Sequence, residues 1–551
     1  EMMKYYILYY LISFGIFSTQ AIQGQNLDKS FLESTIDSLV TTEINDTTPG
    51  VVIGIVKKGE LIFSKGYGLA NLSYGIPNDS KKVYNLGSTS KQFLGYAFAM
   101  LHVKGELNID DPVNKYLEDW PEFEHKVTLR NLLSHTSGYR EAYTMSYLAG
   151  RPIGEDRLSK KECLEVVRRQ TNLEFEPGTR YTYNSTAWII LAEVLEKVTG
   201  KPADKWVEIN IFQPLGMNDT QIESEVGELI YNAAESYYYD QEHGYINQRS
   251  NRAIFGAADV YSSIEDLVKW INNYRTSTIG GEEVNNLFFE SFKLKDGTDS
   301  EYGLGIRIDL YNGLRRYKHT GSHESFYTQL SYYPDHDLGI IIIENFASND
   351  GTPEIKIAEL FLKEHMVPQK EISYKEVEIN KELLKKYEGL YMISSNIASV
   401  NLEIIDNKLT LNGRTKLIPI SQTTFQIEGE NENIQFEILA NGHPQFTFSD
   451  LPGFMLFVKV EVVDPSIGTL ENYIGDYWSE ELETMYHVEL TNKNLKLNHR
   501  WLGDIELEPI AEDLFRSSRG FYVKFNRNKA GEISNFSISK GRTLNVVFNL
   551  K

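Results

Sequence analysis

A serine and a lysine three residues apart mark the stretch Gly87-Ser88-Thr89-Ser90-Lys91-Gln92-Phe93 as the place where this chain could do chemistry. A serine hydroxyl is a poor nucleophile at neutral pH, and a lysine amine can take its proton once burial lowers the amine's pKa. On a helix that spacing puts Ser88 and Lys91 on one side. Phe93, Ala97, Met100 and Leu101 recur at the helical period, so the stretch is expected to open a helix with one face packed inward. The free N–H groups and partial positive charge at the start of that helix favour an alkoxide and the oxyanion it makes. The pair alone is a weak signal, because Ser537 and Lys540 repeat the spacing in a segment that reads as a strand.

Two further stretches add weight. Tyr183 lies in Glu176-Pro177-Gly178-Thr179-Arg180-Tyr181-Thr182-Tyr183-Asn184-Ser185, ahead of an apolar helix that ends at Gly200. A tyrosine beside a lysine ammonium has its phenolate favoured and can act as general base, then general acid. A tyrosine that only packs in a turn is the plainer alternative. The other stretch is Tyr317-Lys318-His319-Thr320-Gly321-Ser322-His323, at the end of a strand. There a polar side chain, a hydroxyl and a glycine let a substrate backbone lie along the strand edge, and a backbone N–H completes an oxyanion hole.

The elements that must position these residues can be read in order. Residues 51–56 and 61–66 form a hairpin across Lys57-Lys58-Gly59-Glu60, and the nucleophile helix ends at Lys104-Gly105. Residues 107–117 then turn into another helix, inside a helical section that runs to about residue 275. Strands return at 315–317, 327–333 and 338–344, the last two separated by Pro334-Asp335-His336-Asp337. The expected fold is therefore an α/β (α+β) domain, an antiparallel sheet flanked by helices with a helical subdomain. Beyond residue 368 lie two copies of one small all-β unit. Leu383-Leu384-Lys385-Lys386-Tyr387-Glu388-Gly389-Leu390-Tyr391 answers Leu470-Glu471-Asn472-Tyr473-Ile474-Gly475-Asp476-Tyr477, and alternating strands follow both. They predict two lipocalin-like barrels, residues 379–463 and 467–551, joined at Asp464-Pro465-Ser466-Ile467-Gly468.

With 551 residues the chain can bury several cores, and a net charge of −22 disfavours nucleic acid and anionic membrane surfaces as partners. Lys4 and the apolar run from Tyr5 to Phe17 have the layout of a secretory signal peptide over residues 1–24, with no later span, so a periplasmic or secreted bacterial protein is expected. Cys163 is the only cysteine, so no disulfide can form within the chain. No metal or other cofactor is expected: His319 and His323 lack a third ligand, and Asp335-His336-Asp337 reads as a turn. Ser134 and Ser134's neighbour His135 point different ways on any regular element, so they are not read as a catalytic pair. Trp478 and Trp501 could stack on a glycan.

The three stretches in this order resemble the serine β-lactamase and penicillin-binding-protein-like hydrolases, in the branch of class C β-lactamases, DD-carboxypeptidases and D-aminopeptidases. The resemblance spans residues 49–345 and includes Leu129-Arg130-Asn131-Leu132-Leu133-Ser134-His135-Thr136-Ser137-Gly138, Ile211-Phe212-Gln213-Pro214-Leu215-Gly216-Met217 and Gly256-Ala257-Ala258-Asp259-Val260-Tyr261-Ser262-Ser263. It implies a hydrolase domain over 25–368, with Ser88 the acylated nucleophile, Lys91 its activating partner and Tyr183 in the Tyr-x-Asn motif. His319-Thr320-Gly321 falls at the Lys-Thr-Gly position, and the N–H groups of Ser88 and Ser322 form the oxyanion hole. Two departures stand out. Ser185 replaces the usual asparagine, so either Ser185 does reduced work or Asn184 reaches in. His319 replaces the lysine and is neutral near pH 7 unless paired, a variant that looks more like peptidases and esterases than efficient β-lactamases. The implied activity is hydrolysis of a small D-residue peptide or an ester, with cell-wall peptides among the candidate substrates. A DD-carboxypeptidase or weak β-lactamase, and a slowly acylating penicillin-binding or sensor protein, are the alternatives.

Overall fold

A computed structural model of the chain describes residues 29–40, 43–152, 154–346, 352–367, 375–393, 398–430, 432–440, 442–448, 456–462, 467–491 and 494–551. The expected signal peptide and residues 464–466 of the expected linker lie outside the described residues. The chain divides into two compact units, residues 1–41 and 42–551. Helix α1 (Lys29–Leu39) is what is described of the first. Among the described residues no helix is long and apolar enough to cross a membrane.

The second unit is organised on six antiparallel strands, β1 (Val51–Lys57), β2 (Glu60–Tyr67), β3 (Arg307–Tyr311), β4 (Leu314–His323), β5 (Phe326–Tyr333) and β6 (Leu338–Glu344), in the order β3-β4-β5-β6-β1-β2. β1 and β6 pair along their length, Val51 opposite Glu344 and Lys57 opposite Leu338. Their sequences, VVIGIVK and LGIIIIE, are apolar at almost every position because these central strands are buried on both faces. The helix Ile264–Thr276 packs over them where Gly54 and Gly339 leave room for Ile264 and Ile271.

Helix α2 (Lys91–Val103) follows a single 3-10 turn, Gly87–Ser90. The expected single inward face is corrected here, since every residue from Lys91 to Leu101 is buried. A helix apolar all round belongs inside a core, and α2 runs through the cluster that joins the sheet to the helical section. Gly105 ends it with φ 73°. The helix expected over 107–117 is also corrected: Pro112 is extended (ψ 148°) and only the 3-10 turn Val113–Lys115 follows. The helical section holds α3 (Leu129–Leu133), α4 (Ala142–Leu148), α5 (Lys160–Arg168) and α6 (Ser185–Thr199).

Both C-terminal repeats close into eight-stranded antiparallel barrels, with strands spanning residues 389–459 and 475–550. The repeat extends to single hydrogen bonds: Tyr391 donates its hydroxyl to Tyr387 O at 2.8 Å and Tyr477 donates to Tyr473 O at 2.9 Å. The second barrel is fused to the helical section. α4 contributes Met145 and Leu148, both fully buried, to that barrel's apolar cluster, and Tyr486 donates its hydroxyl to Leu148 O at 3.0 Å. Just before α4, the buried Arg140 guanidinium donates to Glu481 Oε1 at 2.9 Å, Leu544 O at 3.0 Å and Asn172 O at 3.1 Å. Burial pushes the Glu481 carboxyl up and Arg140 pulls it back.

Arg140→Ala strands the Glu481 carboxylate in that interface, a change that costs about 3–5 kcal/mol. The urea midpoint of the chain, followed by tryptophan fluorescence, should drop accordingly. Arg516→Ala, which opens an exposed pair with Glu508, should shift stability by less than about 1 kcal/mol.

Candidate active site

Ser88 sits in the 3-10 turn and is partly exposed, while Lys91 begins α2 and is wholly buried. The Lys91 amine donates to Ser88 Oγ at 3.1 Å and to Ala257 O at 2.6 Å. Burial pushes its pKa down from 10.5 to about 7; the Glu141 carboxylate pulls it up, Arg542 pushes it down, and Asp259 and Arg252 follow with smaller opposed effects. Near neutral pH the amine is therefore substantially unprotonated and can accept the Ser88 proton. The expected serine–amine pair is brought together.

β4 passes directly against the Ser88 turn, and two glycines permit the contact. Gly87 has φ 51°, and a Cβ there would fall 2.6 Å from Ser322 N; a Cβ on Gly321 would fall 1.9 Å from Leu86 O and 3.0 Å from Ser88 N. β3 pairs with β4 only as far as Lys318, so among the described residues no strand pairs with 319–323 on that side. His323 and Phe326 flank the two-residue turn Glu324-Ser325 and bond to each other, and alternation of bonded and open pairs then directs Ser322 N–H away from β5. The backbone nitrogens of Ser88 and Ser322 are thus brought to the same contact between the turn and β4. Thr320 and Ser322 are exposed along this edge, whereas His319 and Gly321 are buried.

Tyr183 is held against the buried His135 ring, centroids 4.1 Å apart, with the Lys91 amine 5.2 Å from the tyrosine's ring centre. Its hydroxyl is shut from solvent without a well-formed hydrogen bond, close enough to Ser88 to be eased toward ionisation by it. Burial outweighs that help and pushes the phenol well above its ordinary value of 10.0. The expected phenolate is corrected on this ground, and Lys91 is the better resting base. His319 donates Nδ1–H to Thr320 O at 2.6 Å, since a carbonyl can only accept, which leaves Nε2 to accept the Tyr302 hydroxyl at 2.8 Å. Burial, with the Lys91 charge second, lowers the ring's pKa to about 3, so His319 is neutral.

The two candidates for the missing amide part company. Asn184 is the N-cap of α6: its Oδ1 accepts Ala187 N–H at 2.9 Å and its Nδ2 donates to Tyr139 O at 2.7 Å, so the side chain is consumed in holding the helix start. Ser185 donates its N–H to Glu141 Oε2 at 2.8 Å, and among the described residues no hydrogen bond engages its hydroxyl. His135, Glu141, Tyr302 and Arg542 were not foreseen. His135 holds the segment before α6 by accepting Asn184 N–H on Nδ1 at 2.9 Å and Thr182 N–H on its carbonyl at 2.8 Å. Its place in the LLSHTSG stretch was the only hint. Among the described residues no cluster of three or more His, Cys, Asp or Glu side chains could hold a metal ion.

The antiparallel sheet, the buried helix and the Ser88–Lys91 pair are those of a serine hydrolase. A family model described as Beta-lactamase matches residues 32–362, more than half of the chain, and the chain belongs to that family. It is similar to penicillin-binding protein 4* of Bacillus subtilis (strain 168), 24% identical over 400 residues that cover 69% of this chain and 88% of that protein. It is also similar to a D-aminopeptidase of Brucella anthropi, 25% identical over 315 residues, 57% of this chain and 59% of that protein's length. Among solved structures, an octameric penicillin-binding protein homologue from Pyrococcus abyssi has TM-score 0.54 at 25% identity, covering 79% of this chain and all (100%) of that one. SurE, 16% identical with TM-score 0.50, shares the fold over 95% of this chain.

Gly321→Ala should force β4 off the Ser88 turn. Losing one oxyanion donor costs about 10²–10³ in rate, so labelling of Ser88 by a fluorophosphonate should slow by at least about that factor while circular dichroism stays native. Native labelling by a folded variant would show that this contact is not needed.

Proposed function

We propose that the protein is an exported hydrolase that forms an acyl-enzyme on Ser88 with a small amide or ester substrate of the D-residue type. The observation that carries this reading is the buried Lys91 amine, 3.1 Å from Ser88 Oγ and pushed down to about 7. The neutral amine takes the hydroxyl proton as Oγ bonds to the substrate's carbonyl carbon. The carbonyl oxygen becomes an oxyanion between Ser88 N–H and Ser322 N–H. When the tetrahedral adduct collapses, the proton held on Lys91 passes, with Tyr183 hydroxyl beside its path, to the departing nitrogen or oxygen. An ester on Ser88 remains, and a water deprotonated by the same amine hydrolyses it. Similarity to the D-aminopeptidase and to penicillin-binding protein 4* supports small D-residue substrates, and the apolar run ahead of residue 24 supports export.

Intact-mass measurement after exposure to a fluorophosphonate, and separately to a penicillin, checks the first half. A single adduct on the wild type that is missing from Ser88→Ala is the expected result, and a penicillin adduct on top of it points to the penicillin-binding branch. A folded wild type inert to both reagents overturns the hydrolase mechanism in favour of a binding protein. The pH dependence checks the base. The neutral amine is populated above its pKa, so the fluorophosphonate rate should climb through about pH 7 and level off, running about a hundredfold slower two units below. Glu141→Gln removes a charge that raises Lys91, so its rise should come at lower pH.

A further inference from the structure

His319 is neutral, and Lys91 is buried and committed to Ser88 Oγ and Ala257 O, so the catalytic domain's own motifs leave the cleft without a free cation for an anionic substrate group. A cation does stand there, and the second barrel supplies it. Arg542 lies in the turn between the strands Ile533–Lys540 and Thr543–Leu550. Its Nη1 donates to Tyr183 O at 3.0 Å, its guanidinium carbon is 5.3 Å from the Tyr183 ring centre, and its Nη2 is 3.9 Å from Glu141 Oε2. That last distance is beyond a hydrogen bond, and the side chain keeps 44% of its surface open. The turn itself is pinned on its far side. Thr543 Oγ1 accepts Glu141 N–H at 3.1 Å, and Arg140 Nε donates to Leu544 O at 3.0 Å. A guanidinium offers five N–H donors in a planar fork that matches a carboxylate, and the protein uses one of them here.

We propose that Arg542 anchors a free carboxylate of the substrate at the Ser88 site, so that the second barrel sets the specificity of the catalytic domain toward carboxylate-bearing amides or esters. This rests on the acyl-enzyme reading for its biological sense, but not for its test. The rival cation is Arg307 on the edge strand β3, whose charge reaches Tyr181 and His319. Arg542 is favoured because it touches Tyr183, whose hydroxyl faces Ser88.

Binding needs no acylation, so the full chain carrying Ser88→Ala is titrated calorimetrically with N-acetyl-D-alanine and with N-acetyl-D-alaninamide, which differ only in the carboxylate. The carboxylate ligand should bind at least about tenfold tighter. Adding Arg542→Ala should erase that preference, Arg542→Lys should restore part of it, and Arg307→Ala should leave it. Arg542→Gln, which keeps a donor for Tyr183 O without the charge, should behave like the alanine variant and covers the case in which the latter fails to fold. No measurable binding of the carboxylate ligand, no preference, a preference that survives Arg542→Gln, or one lost with Arg307→Ala overturns the proposal. Fluorophosphonate labelling of the wild type reports separately on the acyl-enzyme reading.

Discussion

The burial of one amine organises this molecule. To act as the proposed base at neutral pH, Lys91 needs to be out of water, and it needs to be close to Ser88. Both conditions are met by placing it at the start of a helix that is enclosed from Lys91 to Leu101. Such a lysine opposes folding. With its folded pKa below the unfolded 10.5, the penalty is complete below about pH 7 and fades as pH rises toward 10.5. The surrounding core, reaching from Val52 of the sheet through Trp188 and Trp270, offsets it with apolar burial. The Ala257 carbonyl at 2.6 Å gives the amine a second fixed partner, so its direction does not depend on Ser88 alone.

From that requirement the rest of the site follows by contact. In the proposed mechanism the Ser88 turn presents its N–H to an oxyanion beside β4, and β4 can run there only because Gly87 and Gly321 lack side chains. Tyr183 is placed from the opposite side by His135 and by the capping of α6 through Asn184. The residues immediately after His135 continue through Arg140 and Glu141 into α4, which seats Met145 and Leu148 in the second barrel. One short stretch of chain thus carries the wall of the active site at one end and the anchor of a distant domain at the other. Barrel and catalytic domain share a buried interface near Tyr183, which is why Arg542 can be held within reach of it.

Legibility in the sequence tracked the range of the interaction involved. Ser88 with Lys91, the hairpin of β1 and β2 and the matching segments that open the two barrels rest on neighbours a few residues apart, and local pattern exposed them; the Tyr-to-Tyr bonds inside those segments emerged only with the fold. The all-round burial of α2 could not be read from Phe93, Ala97, Met100 and Leu101, because a helical period reports the most apolar face and not how many partners surround the helix. The 107–117 segment was misjudged because its apolar spacing outweighed Pro112, which the structure keeps extended. Arg542 is 359 residues from Tyr183 and sits in an ordinary polar turn. Nothing in its neighbourhood sets it apart until the barrel is docked. Glu141 was hidden for a related reason: its charge matters through Lys91, a partner that only the folded chain supplies.

The most direct check of the central claim is the titration of Lys91 itself. The chain labelled with ¹³Cε-lysine is followed by NMR from about pH 5 to 11, with Lys91→Met to assign its resonance. A resonance absent from the variant that titrates near pH 7 is the predicted result. Titration close to the ordinary 10.5 would leave the amine charged beside Ser88 at neutral pH, unable to take its proton, and would contradict the account.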